Sequence, residues 1–356
     1  MNTTLSTPPK KERIFYLDLI RAIAIYLIVV THFNHYVMID TEILSFESMG
    51  INLGSFRVSL FLVLSGAALM YNYQGKYSLK TYYWKRFKVV FPIFWLTYIF
   101  AFAYMFFTLD GYVKEGVPGI NFLYTVFGLD ALASNYDIPT FYIVGEWFLG
   151  FILFFYALFP LLRIGIIRFP KITAAIILTI YVIILLIPGD IFGGPKSVFI
   201  FTRLPELAFG MYFMYYIKNV KLWVTIPLVA VLIGNTHIAN LDSDLASTVS
   251  GIAMFMIVAG TAKFIAVRPV REFAKLIAKY SYAIFLVHHT VIREFFIHFF
   301  SAEWTTFQLY MTFACVLAVT FGLSFALYKC NEQVLRFFKK AWDKRHANRL
   351  VSHPSN

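Results

Sequence analysis

Residues 14–37 read IFYLDLIRAIAIYLIVVTHFNHYV, an apolar run interrupted by Asp18, Arg21, His32 and His35. A run of this length crosses a hydrocarbon core as one helix, which takes about 20 residues. An arginine at the centre of such a helix costs about 2.5–3.5 kcal/mol on insertion scales, so it faces a cavity or a partner rather than lipid. At 100° and 1.5 Å per residue, the step from Arg21 to His32 is three turns plus about 20°, which puts both on one face about 16 Å apart. Asp18 and His35 extend that polar stripe by three residues at either end, while Ile23, Leu27 and Val30 cover the other faces. The stripe therefore points into protein.

The rest of the chain has the same character. Of its 356 residues 60% are hydrophobic and only 14% charged, against about 25% charged in soluble domains, and the mean hydropathy is +0.70. These values identify an all-α polytopic membrane protein. The net charge of +12 does not signal nucleic-acid binding, because Lys and Arg stand in short clusters between apolar runs and no separate basic domain carries them. Cys315 and Cys330 fall on one predicted helix about 22 Å apart, too far for a disulfide. Lys10, Lys11 and Arg13 ahead of the first run imitate a signal peptide, but Asp18 and Arg21 inside it and the lack of a small-residue cleavage site predict a retained first span.

Apolar runs at about 14–37, 50–72, 88–109, 144–163, 172–189, 198–217, 222–240, 247–267, 280–300 and 305–329 predict ten spans. Loop charge supports this count. Lys76, Lys80, Lys85, Arg86 and Lys88 follow the second run, Arg163, Arg168 and Lys171 the fourth, Lys218 and Lys221 the sixth, and Arg268, Arg271, Lys275 and Lys279 the eighth. Acidic residues dominate the alternate loops: Asp40, Glu42 and Glu47, then Asp110, Glu115, Asp130 and Asp137, then Asp190, then Asp242 and Asp244, then Glu303. Both termini are basic, the last with Lys339, Lys340, Lys344 and Arg345, so both are expected in the cytoplasm. Residues 1–13 read as a cytoplasmic tail, 14–330 as one transmembrane domain and 331–356 as a basic cytoplasmic tail. Disorder is expected up to Pro9 and after Arg349. The loop at 110–143, with Gly111, Gly116, Gly119 and Gly128, is expected to form an external lid or re-entrant element. No internal repeat or low-complexity tract occurs.

Few polar residues inside these runs can carry chemistry. They are Asp18, Arg21, His32 and His35; Arg57 and Ser65; Glu146; Arg203 and Glu206; and His288, His289, Arg293 and Glu294. Arg21 is either a structural ion-pair partner of Asp18, one turn away, or an anchor for an anion, since arginine holds phosphate or carboxylate in a fixed fork. His32 is either a histidine satisfied by a neighbouring helix or a proton carrier near neutral pH. His35 and His289 are expected near the outer interface. Arg293 and Glu294 are adjacent on a helix, so their side chains leave it about 100° apart and are expected to be poor partners. The cluster Lys85, Arg86 and Lys88 sets topology and is also placed to form the mouth of a cytoplasmic anion site. No metal-ligand set or cofactor motif stands out.

Several segments together resemble integral-membrane acyltransferase family 3, which moves acyl groups from cytoplasmic acyl-CoA to exported glycans and related acceptors. Leu17-Asp18-Leu19-Ile20-Arg21-Ala22-Ile23-Ala24 followed by His32 resembles the family's Arg and His with ten residues between them. Phe61-Leu62-Val63-Leu64-Ser65-Gly66 resembles its Ser-Gly segment, and Trp84-Lys85-Arg86-Phe87-Lys88 with Pro92 its basic motif. Glu146-Trp147-Phe148-Leu149 with Tyr156 and Pro160, and Tyr280-Ser281-Tyr282-Ala283-Ile284-Phe285-Leu286 with His288, resemble two more. One departure is Val89, where the family commonly has Arg; Lys88 is the nearest replacement.

The resemblance implies a multi-pass protein of a bacterial inner or plasma membrane, with acyl-CoA, most simply acetyl-CoA and secondly succinyl-CoA, as co-substrate and no permanently bound cofactor. His32, Arg21 and Asp18 are then the catalytic set. Asp18 would hold Arg21, and His32 would act as general base on an acceptor hydroxyl or carry the acyl group. Lys85, Arg86, Lys88, Ser65, Glu146, Arg203 and His288 are the expected binding residues for the donor or acceptor. Ser65 and Glu146 would be oxyanion or proton partners, and Gly66 would allow close helix approach. Membrane lipids surround the domain, and the acceptor is a glycan or lipid-linked sugar, acylated directly or through a separate protein. The alternatives are a secondary transporter or flippase for a glycan or organic anion, with Arg21 binding substrate and His32 carrying a proton, and a non-catalytic assembly subunit.

Overall fold

Each of the ten apolar runs carries a helix. The computed structural model describes residues 12–37, 43, 53–108, 116–141, 144, 147–191, 193–235, 242–299 and 304–352, with side chains omitted at 53–56, 131, 147 and 345–352. In chain order the helices are α1 (Phe15–Tyr36), α2 (Leu53–Asn72), α3 (Leu79–Thr108), α4 (Phe122–Phe127), α5 (Asp130–Ser134), α6 (Trp147–Arg168), α7 (Pro170–Leu186), α8 (Leu204–Tyr212), α9 (Leu222–Asn235), α10 (Ser243–Thr261), α11 (Arg268–Phe299) and α12 (Thr306–Ser352). Among the described residues there is no β-strand, only one bridge between Ile191 and Gly194.

Five helices are long and apolar enough to cross a membrane: α1, α3, Phe148–Arg168 of α6, α10 extended to Ile265, and Thr306–Lys344 within α12. Arg57–Asn72 of α2, α7 and α9 are shorter apolar helices. The sixth run is broken, passing through 3₁₀ turns at Lys196–Val198 and Ile200–Arg203 into α8, with Pro205 in its first turn, and ending in a π turn at Phe213–Ile217.

Three segments read as loops or tail are helical. α3 begins at Leu79 and α11 at Arg268, so the basic stretches ahead of the third and ninth runs are their first turns. α12 runs unbroken to Ser352, beyond Arg349, where disorder was expected. These stretches are rich in Lys, Arg, Glu, Ala and Leu, which favour helix, and carry no proline beyond the first turn. Glu332 supports α12 through Lys329 at 3.5 Å and Arg336 at 3.9 Å. Cys315 and Cys330 are free thiols. Residues 116–141 of the long loop fold onto α3: Trp95 donates to the Val126 carbonyl at 2.9 Å and Tyr98 to that of Phe141 at 2.9 Å. Gly128 closes α4 in the left-handed conformation, at φ 69°.

α2 is the hub, in contact with α1, α8 and α10, while α1 packs most extensively on α11, which in turn meets α3 and α12. The approach of α2 to α8 is too close for side chains. A Cβ on Gly66 would fall 2.0 Å from the Leu207 carbonyl oxygen, and one on Gly210 would fall 1.9 Å from that of Val63. Pro160 within α6 leaves the Tyr156 carbonyl without its helical donor. Tyr82 of α3, fully buried, supplies the replacement through its hydroxyl at 3.0 Å, so the proline ties α3 to α6.

Gly210→Ala and Gly66→Ala each require backbone to move apart, and destabilise by about 1–3 kcal/mol or more, as overpacking does. Gly322→Ala, with nothing within 4 Å of the new methyl, leaves stability unchanged or raises it by about 0.5–1 kcal/mol. Thermal unfolding of the purified proteins in detergent separates the two classes.

Candidate active site

α1 is continuous from Phe15 to Tyr36, so Arg21 and His32 share a face as their spacing requires. They head two separate clusters, one at each end of the helix.

At the Arg21 end, the expected Asp18–Arg21 pair does not form. Both Asp18 oxygens are taken by Arg13, its Nε on Oδ2 and its Nη2 on Oδ1 at 3.0 Å. The reason is directional: Cα–Cβ bonds in a helix tilt toward its N-terminus, so a first-turn carboxylate meets the residue ahead of the helix before one a turn further on. Arg21 is half-buried and makes no hydrogen bond or ion pair among the described residues, and none of its nitrogens is sealed off. An unpaired guanidinium with open nitrogens suits an anion or a carbonyl oxygen.

Arg86 joins this end from α3. Its guanidinium lies 5.6 Å from the Tyr73 ring centre and 5.4 Å from that of Tyr156, and its Nη2 donates to the Tyr73 hydroxyl at 3.3 Å. The buried Arg86 Nε has no partner among the described residues. Of the basic cluster only Arg86 turns inward. Tyr82, Arg86 and Val90, spaced by four, form the packed face of α3, which leaves Lys85 and Lys88 on the exposed one. Lys88 lies over Trp84 at 5.5 Å, and Val89 is exposed too, so Arg86 is the member of the cluster that reaches the packed interior. Arg163 acts on structure: it donates to the carbonyls of Tyr73, Gln74 and Gly75 at 2.6, 2.7 and 3.0 Å, closing the end of α2.

At the other end, His32 faces two histidines of α11, with ring centres 5.1 Å from His288 and 4.6 Å from His289. His288 is fully buried. Its Nδ1 lies 2.6 Å from the Phe285 carbonyl oxygen, which can only accept, so Nδ1 carries a proton and, in the neutral ring, Nε2 is left as a bare acceptor. That Nε2 is buried and has no hydrogen-bond partner among the described residues. His32 likewise makes no hydrogen bond among them, and neither of its ring nitrogens is sealed off. Arg57 of α2 is within electrostatic reach of both His32 and His288. His35 is exposed beyond the cluster. An accessible imidazole, a buried one with an unpaired nitrogen and a nearby cation form a place where a hydroxyl can lose a proton and negative charge can develop.

Three expected binding residues stand differently. Ser65 donates to the Phe61 carbonyl at 2.8 Å within α2, so its proton is not available to an oxyanion. Arg203 is held in a buried network, with Glu206 at 3.3 Å, Asp244 at 3.2 Å and the Ser197 carbonyl at 3.0 Å. Glu206 in turn accepts from Ser59 and Thr248, both at 3.0 Å. This network joins α2, α8 and α10 and leaves Arg203 no free donor fork for a substrate. Glu146 lies outside the described residues.

Sequence reading undervalued His289 and missed Tyr73 and Tyr82. Adjacent histidines on one amphipathic helix were the available signal for the first; the second and third depend on which helix packs against which. Arg293 and Glu294 also depart from expectation: Arg293 Nη2 and Nε reach Glu294 Oε1 at 2.7 and 3.0 Å. The long flexible arginine spans the 100° step, while Tyr104 holds the other Glu294 oxygen at 2.9 Å.

Because the buried Glu206 and Asp244 both pair with Arg203, Arg203→Ala strands two carboxylates and costs about 3–5 kcal/mol, as breaking buried pairs does. Loss of folded protein from the membrane fraction is the expected result. Normal yield and stability would show the pair to be dispensable to the fold.

A family model described as an acyltransferase domain, that of acyltransferase family 3, matches residues 14–329. No curated protein and no solved structure matches the chain.

Proposed function

The chain belongs to acyltransferase family 3, and from that premise we propose that it transfers an acyl group, most simply acetyl, from cytoplasmic acyl-CoA to a hydroxyl of an exported or cell-surface glycan. The domain would cross a bacterial cell membrane ten times with both termini in the cytoplasm, which puts the Arg21 end inward and the His32 end outward, in keeping with the alternating loop charges. One observation carries the reading. A single helix presents an unpaired guanidinium and an open imidazole on one face, about 16 Å apart.

In this scheme Arg21 and Arg86 hold the donor, with Tyr73 and Tyr156 fixing the Arg86 guanidinium. His32 takes the proton of the acceptor hydroxyl as its oxygen attacks the thioester carbon. The carbon–sulfur bond then breaks, and the thiolate of coenzyme A leaves with its charge compensated by the proton that His32 holds. Neutral His288, its tautomer fixed by Phe285, leaves a lone pair beside His32 to orient either the hydroxyl or the protonated base. Direct attack is favoured over an acyl-imidazole because it needs only this one proton transfer.

The test is incorporation of labelled acetyl from acetyl-CoA into glycan by membranes holding equal amounts of folded variants. His32→Ala lowers the rate by about 10²–10⁴, the usual contribution of a general base. Arg86→Ala raises the KM for the donor by about 10–100-fold, the loss of a charged hydrogen bond, whereas Lys85→Ala and Lys88→Ala behave as wild type. Full activity in His32→Ala would overturn the mechanism.

A further inference from the structure

A cavity of 540 Å³ lies between α3, α11 and α12, outside the two clusters described above. Its walls are almost wholly apolar. Ala101 of α3, Leu286 and Val291 of α11, and Leu323, Ala326 and Leu327 of α12 line it. Wall residues on α11 run from Leu286 to Phe295 and on α12 from Val319 to Cys330, so the slot extends about 14–16 Å along the helices at 1.5 Å per residue. Leu323 and Phe100, both in its lining, are half-exposed on the outside of the bundle, which opens the slot sideways toward what surrounds these spanning helices.

The slot is apolar along its length and charged at one end. There Tyr104 donates to Glu294, Arg293 pairs with the other Glu294 oxygen, and His298 lies 3.4 Å from Glu294. This charged end leads to the imidazoles. Glu294 stands one turn beyond Thr290, which lines the slot, while Arg293 stands one turn beyond His289 and within its electrostatic reach. The Arg293–Glu294 pair therefore bridges two faces of α11, the slot on one and the histidines on the other, and His289 rests against His32 at 4.6 Å.

We infer that this slot holds the hydrocarbon tail of a glycolipid-like acceptor, whose sugar head lies at the Arg293–Glu294–Tyr104 rim within about one helical turn of the histidines. A narrow apolar slot takes a chain and excludes a bulky group. A paired carboxylate and guanidinium beside a phenol offer both donors and acceptors to hydroxyls, and little net charge to a phosphate. The inference rests on the proposed acyl transfer for its consequence, but not for the binding itself.

The test uses the full-length protein in lipid vesicles and dodecyl glucoside carrying a diazirine at the tail end. Light should attach the probe to peptides around Leu327 and Cys330. Plain dodecyl glucoside should compete, and dodecylphosphocholine should not. In Ala326→Trp, which fills the slot from the exposed side of α12, labelling should fall about tenfold, the loss expected when two methylenes are kept out of apolar surroundings. Acyl transfer to dodecyl glucoside should fall by the same factor, while transfer to methyl glucoside is unchanged. Labelling spread evenly over the outer helix faces, or equal competition by dodecylphosphocholine, overturns the inference even if acyl transfer is intact, and the wild-type competition decides this should the variant not fold. Specific labelling without transfer to either glucoside supports the slot and contradicts the proposed function instead.

Discussion

A buried ionisable side chain inside an apolar bundle has to be covered by protein, and in this chain α1 carries the stripe that imposes that demand. α11 covers the His32 end with two further histidines, and the two helices pack extensively on one another. α2 approaches α8 at glycine contacts where no Cβ fits, and its Arg57 is brought within reach of the same imidazoles. The Arg203–Glu206–Asp244 network locks α2, α8 and α10 together. The site is thus held by a frame whose Arg203 is fully paired internally, while Arg21 and His32 of α1 remain open.

Much of this was legible in residues 14–37 alone. The helical period placed Arg21 and His32 on one face, and the structure keeps that helix unbroken. The ten apolar runs carry helices for the same reason: hydrophobic periodicity is a local property. What the chain did not disclose was pairing between elements and the direction of long side chains. Asp18 goes to Arg13 because of the tilt of its Cβ bond, and Arg293 bends to Glu294 despite the helical step between them. Arg203, expected among the binding residues by its type, is consumed by Glu206 three residues on and by Asp244 of α10, which no spacing rule links to it.

Prolines and aromatics explain the rest of the Arg21 end. Pro160 frees a carbonyl, Tyr82 fills it, and the same stretch of α6 presents the Tyr156 ring to Arg86. A helix fault thereby becomes the joint that sets one wall of the candidate donor site. The exposed positions of Lys85, Lys88 and Val89 follow from the helical period, which turns only Arg86 of the cluster inward.

The central claim is that acyl transfer runs along α1 from one side of the membrane to the other. Sidedness tests it most directly, with labelled acetyl-CoA supplied to the outer face of sealed inside-out vesicles and the glycan acceptor enclosed within. Labelled glycan inside the vesicles, with intact acetyl-CoA confined to the outside, is the predicted result. Label restricted to acceptor on the donor's own side, or passage of glycan across the membrane without label, would contradict it.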